Sequence, residues 1–215
     1  MFKFTPGSFS ILGLFRSTLS LEDLILDRNP FASLTPETFA GLEQTLKNFS
    51  CQSCSLTSES LSAFSHLSKL ERLKLQSNYL KEIRPSTLFS SMTNLILIDL
   101  QRNQLNEIPN FWPSSIRELQ IGNNQLKTFH LINETTALLP DLTTLDLSQN
   151  PLHCDCQLVP LHRWLLESYQ AELVPYVQWI CASPKNLAGK KLGSLVEKDF
   201  ICDDNDDEQQ QKTKK

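Results

Sequence analysis

Four cysteines near the C-terminus, Cys154, Cys156, Cys181 and Cys202, form a C-x-C, then a Cys after 24 residues and another after 20. Thiols so placed can pair as disulfides or, with His153 beside them, hold a tetrahedral zinc ion. Spacing alone leaves three disulfide connectivities open. Two more, Cys51 and Cys54, make a C-x-x-C, the spacing of a redox dithiol or of half a metal site. His66, His130 and His162 are scattered, with no Ser or Cys partner at an interpretable spacing. Paired carboxylates, a nucleophile elbow and a glycine-rich phosphate loop are all missing, and six glycines leave little from which to build a phosphate cradle. The sequence therefore offers no catalytic residues, no resident metal and no cofactor. Two N-x-S/T sequons, Asn48-Phe-Ser50 and Asn133-Glu-Thr135, are candidate glycan acceptors in a secreted chain.

The elements that must position these residues are repeats. Leu21, Leu24, Leu26, Asn29 and Phe31 follow the form LxxLxLxxNxL, and four further clear copies start at Leu70, Leu95, Ile116 and Leu142. A weaker copy starts at Leu46, with Phe49, Cys51, Cys54 and Leu56, where Cys takes the Asn position. Starts at 21, 46, 70, 95, 116 and 142 give steps of 25, 24, 25, 21 and 26. Each L-x-L reads as a short strand of period 2, leucines inward and the residues between them outward. One repeat cannot bury its own apolar face, so stacked copies must share a parallel sheet and one core. The Asn sits where the chain leaves the strand, where its amide can bond to its own and the neighbouring turn. Cys54 can do this only weakly, so a local weak point is expected there. The 21-residue step contains Ile108-Pro-Asn-Phe-Trp-Pro-Ser-Ser, too short and proline-rich for a helix.

These repeats resemble the leucine-rich repeat family, and residues 150–202 are similar to the C-terminal cysteine-rich flank of its extracellular members: the NPxxC lead-in, C-x-C, Trp164, Trp179 and C-x-S-P all agree. The resemblance implies an α/β solenoid, a leucine-rich repeat horseshoe with a parallel concave β-sheet and a disulfide-bonded C-terminal cap. It also implies the pairing Cys154–Cys181 and Cys156–Cys202 rather than a zinc site. Leu158, Leu161, Trp164 and Leu165 fall on one face of a short helix suited to covering the end of the last repeat. Cys51 and Cys54 occupy an inward Leu position and the Asn position, so buried core thiols are expected, with a local disulfide as the alternative. The organisation read is a partial preceding repeat over 1–20, repeats over 21–149, the cap over 150–202 and a disordered tail over 203–215.

Composition narrows the function. A net charge of −4 with 20 dispersed basic residues argues against nucleic acid, and no apolar run is long enough to span a membrane. Disulfides place the mature protein outside the cell or at its surface. No signal peptide is recognisable after Met1, which is read as truncation. The concave face is expected to bind a protein ligand or receptor. Its candidate residues are Asp23, Ile25, Asp27 and Arg28, then Arg72, Lys74 and Gln76, then Leu97, Asp99 and Arg102, then Glu118 and Gln120, then Thr144 and Asp146. Ile25 and Leu97 are read as exposed apolar groups on it. The resulting expectation is a receptor or adhesion module, non-enzymatic, with a secreted structural matrix component as the alternative and a homodimer left open.

Overall fold

The computed structural model describes residues 15, 20–31, 33–84, 88–109, 112–129, 141–167 and 179–201. The partial repeat read over 1–20 lies almost wholly outside these residues, as do the 203–215 tail and Asn133.

Each L-x-L becomes a three-residue strand: β1 (Asp23–Ile25), β2 (Asn48–Ser50), β3 (Arg72–Lys74), β4 (Leu97–Asp99), β5 (Glu118–Gln120) and β6 (Thr144–Asp146). They pair in sequence order as one parallel six-stranded sheet. This is the parallel solenoid sheet that the resemblance to leucine-rich repeats implies. Pairing aligns Leu24, Phe49, Leu73, Ile98, Leu119 and Leu145 in a single buried row. Behind the strands, short 3-10 segments at Pro36–Phe39, Ser58–Phe64 and Leu88–Ser91 return the chain. The short repeat has no helix among its described residues, and Trp112 stacks on Phe89 with ring centroids 5.4 Å apart. Phe39, Phe49 and Phe64 pack mutually at 5.2–5.4 Å, joining the first two complete repeats through aromatic contacts.

The motif asparagines tie the turns together. Asn78, Asn103, Asn124 and Asn150 each donate to the carbonyl three residues back, at Leu75, Leu100, Ile121 and Leu147. Each also donates to the equivalent carbonyl of the preceding repeat, at Cys51, Leu75, Leu100 and Ile121. Their side-chain oxygens accept from Leu56, Leu80, Leu105 and Leu126 N–H of the preceding repeat. The residue before each motif position is left-handed: Arg28, Ser53, Ser77, Arg102, Asn123 and Gln149 all have φ between 53 and 59°. That twist aims its N–H at the next repeat, as in Ser77 to Gln101 O and Arg102 to Gly122 O. The backbone strain is repaid by a hydrogen bond that would otherwise be missing from a buried turn.

The second turn departs from expectation. Cys51 and Cys54 are joined in a disulfide, Cα atoms 5.5 Å apart, rather than sitting as free core thiols. The left-handed turn at Ser53 brings the two side chains to the same side, which linear spacing does not reveal.

In the cap, β7 (Leu152–His153) pairs in parallel with β8 (Cys181–Ser183), and a disulfide joins Cys154 to Cys181. Cys156 is also disulfide-bonded, while Cys202 lies outside the described residues. Asp155 accepts from Gln157 N–H at the start of the turn that leads into α1 (Val159–Glu167). Leu158, Leu161 and Leu165 are buried and join the same apolar cluster as the repeats, with Trp164 packed against it.

Candidate binding face

Parallel pairing converts the outward residues of successive repeats into rows running across the sheet. The first row is Asp23, Asn48, Arg72, Leu97, Glu118 and Thr144. The second is Ile25, Ser50, Lys74, Asp99, Gln120 and Asp146. Beyond the strands, Asp27 and Gln76 continue the alternation of β1 and β3. Twelve of the fourteen residues read from the sequence thus lie on the strand face or its continuation. Arg28 and Arg102 do not: both are exposed left-handed turn residues at its border.

The expectation for Leu97 is corrected by its burial. Ile25, on the first strand, is 72% exposed, whereas Leu97 and Asp99 on β4 are each 8% exposed. Leu97 lies between Arg72 and Glu118, and Asp99 between Lys74 and Gln120, so short groups sit flanked by longer ones. Burial pushes the Asp99 carboxyl above the ordinary carboxylate value, and nearby Asp146 adds to the push. The Gln101 N–H, which donates to Asp99 Oδ1 at 3.0 Å, and Lys74 act in the opposite direction.

Two polar networks cover the face. At one end, Asp27 Oδ1 accepts from Ser50 Oγ at 2.6 Å and from Gln52 N–H at 2.9 Å. Asn48 Nδ2 donates to Asp23 Oδ1 at 2.7 Å, and Arg72 Nη1 reaches Asn48 Oδ1 at 3.5 Å. The sequon side chain at Asn48 is therefore half-buried and engaged on both sides. At the other end, Gln101 Nε2 bridges Gln120 Oε1 and Asp146 Oδ2, each at 3.2 Å. Gly122 makes room for that arrangement, because a Cβ there would come within 2.7 Å of Asp146 Oδ2. Ser50, Gln52, Gln101 and Ser148 belong to this face but were not among the sequence candidates. The signal for Ser50 and Gln52 was available, since the weak second repeat alternates as the others do.

A second constellation lies in the cap, where Ser183 Oγ sits 2.6 Å from His153 Nδ1 and Asp155 Oδ2 is 3.6 Å from His153 Nε2. The latter separation exceeds a hydrogen bond, and the other Asp155 oxygen caps the following turn. The cluster links β7 to β8. Among the described residues, no group of His, Cys, Asp and Glu is arranged to hold a metal ion, and no helix is long and apolar enough to cross a membrane.

No family model matches the chain. Its relatives include Toll-like receptor 5 from Homo sapiens, 29% identical over 181 residues, covering 81% of this chain and 20% of the receptor. Platelet glycoprotein IX from Homo sapiens is 35% identical over 112 residues, covering 52% of this chain and 60% of the glycoprotein. Among solved structures, the leucine-rich repeat chain FLRT2, in an octameric complex with Latrophilin 3 and Unc5D, superposes with a TM-score of 0.68 at 26% identity. That match covers 83% of this chain and 54% of the other. The chain thus spans between a fifth and three-fifths of these curated relatives' lengths. Repeat pattern, parallel sheet, disulfide-bonded cap and relatives together show a leucine-rich repeat solenoid fold.

Proposed function

We propose that this leucine-rich repeat chain is an extracellular, non-enzymatic protein-binding module of a cell-surface receptor or adhesion protein, and that it binds through the outward face of its six-stranded sheet. The observation that carries the reading is the face itself. One side of the sheet is sealed in the core, and the other presents rows of mixed charged and polar side chains held by hydrogen bonds between repeats. A surface of mixed charge suits a protein partner, whereas nucleic acid requires clustered cations. Disulfides at Cys51–Cys54 and Cys154–Cys181 support an oxidising compartment. The receptor and glycoprotein relatives, and a structural neighbour solved in complex with other proteins, support the binding role. A second reading, a secreted matrix component, is favoured by the short 21-residue repeat starting at Leu95, which carries Pro109 and Pro113 in its return segment.

The test is a panel of purified cell-surface ectodomains probed with the tetramerised full chain. Paired substitutions Arg72→Glu and Lys74→Glu should weaken any partner found at least tenfold, about 1.4 kcal/mol. Lys185→Glu, on the cap surface, should leave it unchanged. Partners that respond to Lys185 and ignore the sheet face would overturn the reading.

A further inference from the structure

In the other four cross-bridged turns, one asparagine carboxamide does two jobs: it closes its own turn through the carbonyl three residues back, and it ties that turn to the preceding repeat. At position 54 the two jobs are separated. The disulfide joins residue 54 to residue 51, the same pair of positions that the carboxamide bridges elsewhere, so turn closure is covalent. The tie to the preceding repeat is lost: Cys54 Sγ lies 3.2 Å from Leu26 O but, as a disulfide sulfur, has no proton to donate. Phe31 N–H, whose counterparts Leu80, Leu105 and Leu126 bond to an asparagine oxygen, instead donates to the backbone carbonyl of Cys54. This turn also carries two left-handed non-glycine residues, Ser53 at φ 56° and Ser55 at φ 62°, where each of the others shows one. The bridged turn therefore holds one more left-handed residue than its neighbours, and with it extra backbone strain.

We infer that Cys51–Cys54 is a redox-responsive latch on the binding face, opened by a dithiol reductant. Gln52 lies inside the bridged segment, and its N–H is fixed on Asp27 Oδ1 of the face. Reduction proceeds by attack of the reductant's thiolate on one cysteine sulfur. The Cys51–Cys54 bond breaks, and the departing thiolate takes a proton from water. The reductant's second thiol then displaces the mixed disulfide, leaving two cysteine thiols and the oxidised cyclic reductant. The freed Cys54 S–H faces Leu26 O and supplies the missing tie between repeats, while closure of the turn is lost. Both cysteines are fully buried, so attack requires the turn to open, which strain at Ser53 and Ser55 favours. The Cys154–Cys181 bridge closes a loop 27 residues apart against 3 here, and its reduction forfeits more chain restraint. The consequence for partner binding rests on the sheet-face reading, but the latch itself does not.

The experiment treats the full oxidised chain with graded dithiothreitol under native conditions, traps thiols with iodoacetamide, maps them by peptide mass, and follows amide hydrogen exchange. Thiols should appear at Cys51 and Cys54 before Cys154 and Cys181. Exchange at Gln52–Leu56 should rise at least tenfold while β4–β6 stay protected. The double variant Cys51→Leu with Cys54→Asn, which restores the repeat pattern, should show no rise in exchange at Gln52–Leu56 at the dithiothreitol concentrations that open the wild-type Cys51–Cys54 bridge, and the wild-type measurement stands without it. Alkylation of Cys51 and Cys54 only in step with Cys154 and Cys181, or unchanged exchange at Gln52–Leu56 after proven reduction, would overturn the latch. Neither result touches the sheet-face reading, which the ectodomain panel decides.

Discussion

Asn78→Ala should be the most destabilising of the asparagine truncations, and the hydrogen bonds give the reason. The Asn78 oxygen accepts from two buried amides, Cys54 N–H and Leu56 N–H, each at 3.0 Å. Its Nδ2 serves Cys51 O at 2.8 Å, a carbonyl with no carboxamide of its own turn because position 54 is cysteine. Truncation thus strands three buried backbone groups among the described residues. Asn103→Ala strands one, Leu80 N–H, because Leu75 O keeps Asn78 and Leu100 O keeps Asn124. At about 1–3 kcal/mol per orphaned group, less whatever water or relaxation recovers, Asn78→Ala should cost about 3–5 kcal/mol and Asn103→Ala about 1–3. Gln76→Ala, half-exposed on the face, should stay within about 0.5 kcal/mol. Urea unfolding of the oxidised chain measures all three, with hydrogen exchange at Gln52–Leu56 reporting whether loss is local, as a repeat array allows. Equal costs for Asn78→Ala and Asn103→Ala, or a cost for Asn78→Ala no greater than for Gln76→Ala, would refute the assignment of that turn's stability to one carboxamide.

Three further outcomes follow from named positions. Gln149→Gly should be neutral or stabilising by up to about 1 kcal/mol in thermal unfolding, whereas Gln149→Val should destabilise by about 1–2, because φ there is 56°. Gly122→Ala should displace the Asp146 carboxylate and cost about 1–3 kcal/mol, with the Gln101 side-chain amide resonances shifting in NMR as the 3.2 Å contact breaks. Asp99 is the pH-dependent position. Its folded-state value is raised by burial, so the folded protein holds that proton more tightly than the unfolded chain, and stability contributed by Asp99 falls as pH rises through the folded-state value. Asp99→Asn should therefore raise the melting temperature at pH 7, and the gain should shrink as pH falls and vanish below 3.8, where the unfolded carboxyl is protonated as well. A gain of equal size at both pH values would assign the effect to packing instead.

The sheet rows illustrate how far sequence reasoning reaches. Asp23, Arg72, Glu118 and Thr144 share one row across the strands although they lie more than 20 residues apart, and the near-constant repeat period was enough to align them. Asn48, Ser50 and Gln52 follow the same alternation in the weaker second repeat, so the side of the sheet they occupy was legible there too. The burial of Leu97 and Asp99 could not be read from alternation, which gives the side of a sheet and not the height of the neighbours. The state of Cys51 and Cys54 was hidden for a related reason, since it depends on a left-handed residue between them that no propensity of serine announces.

By itself, the sequence determined the repeat, the parallel sheet and the single core, because a period of about 24 residues with inward leucines admits one economical way to bury them. It also determined that asparagine would close the turns, since a buried turn needs a side chain that both donates and accepts. Only the tertiary structure decided which face groups are accessible, which carboxylate is desolvated and which two cysteines meet. Those properties depend on distances between residues of different repeats and on backbone handedness at one position, and both arise only when the repeats are stacked.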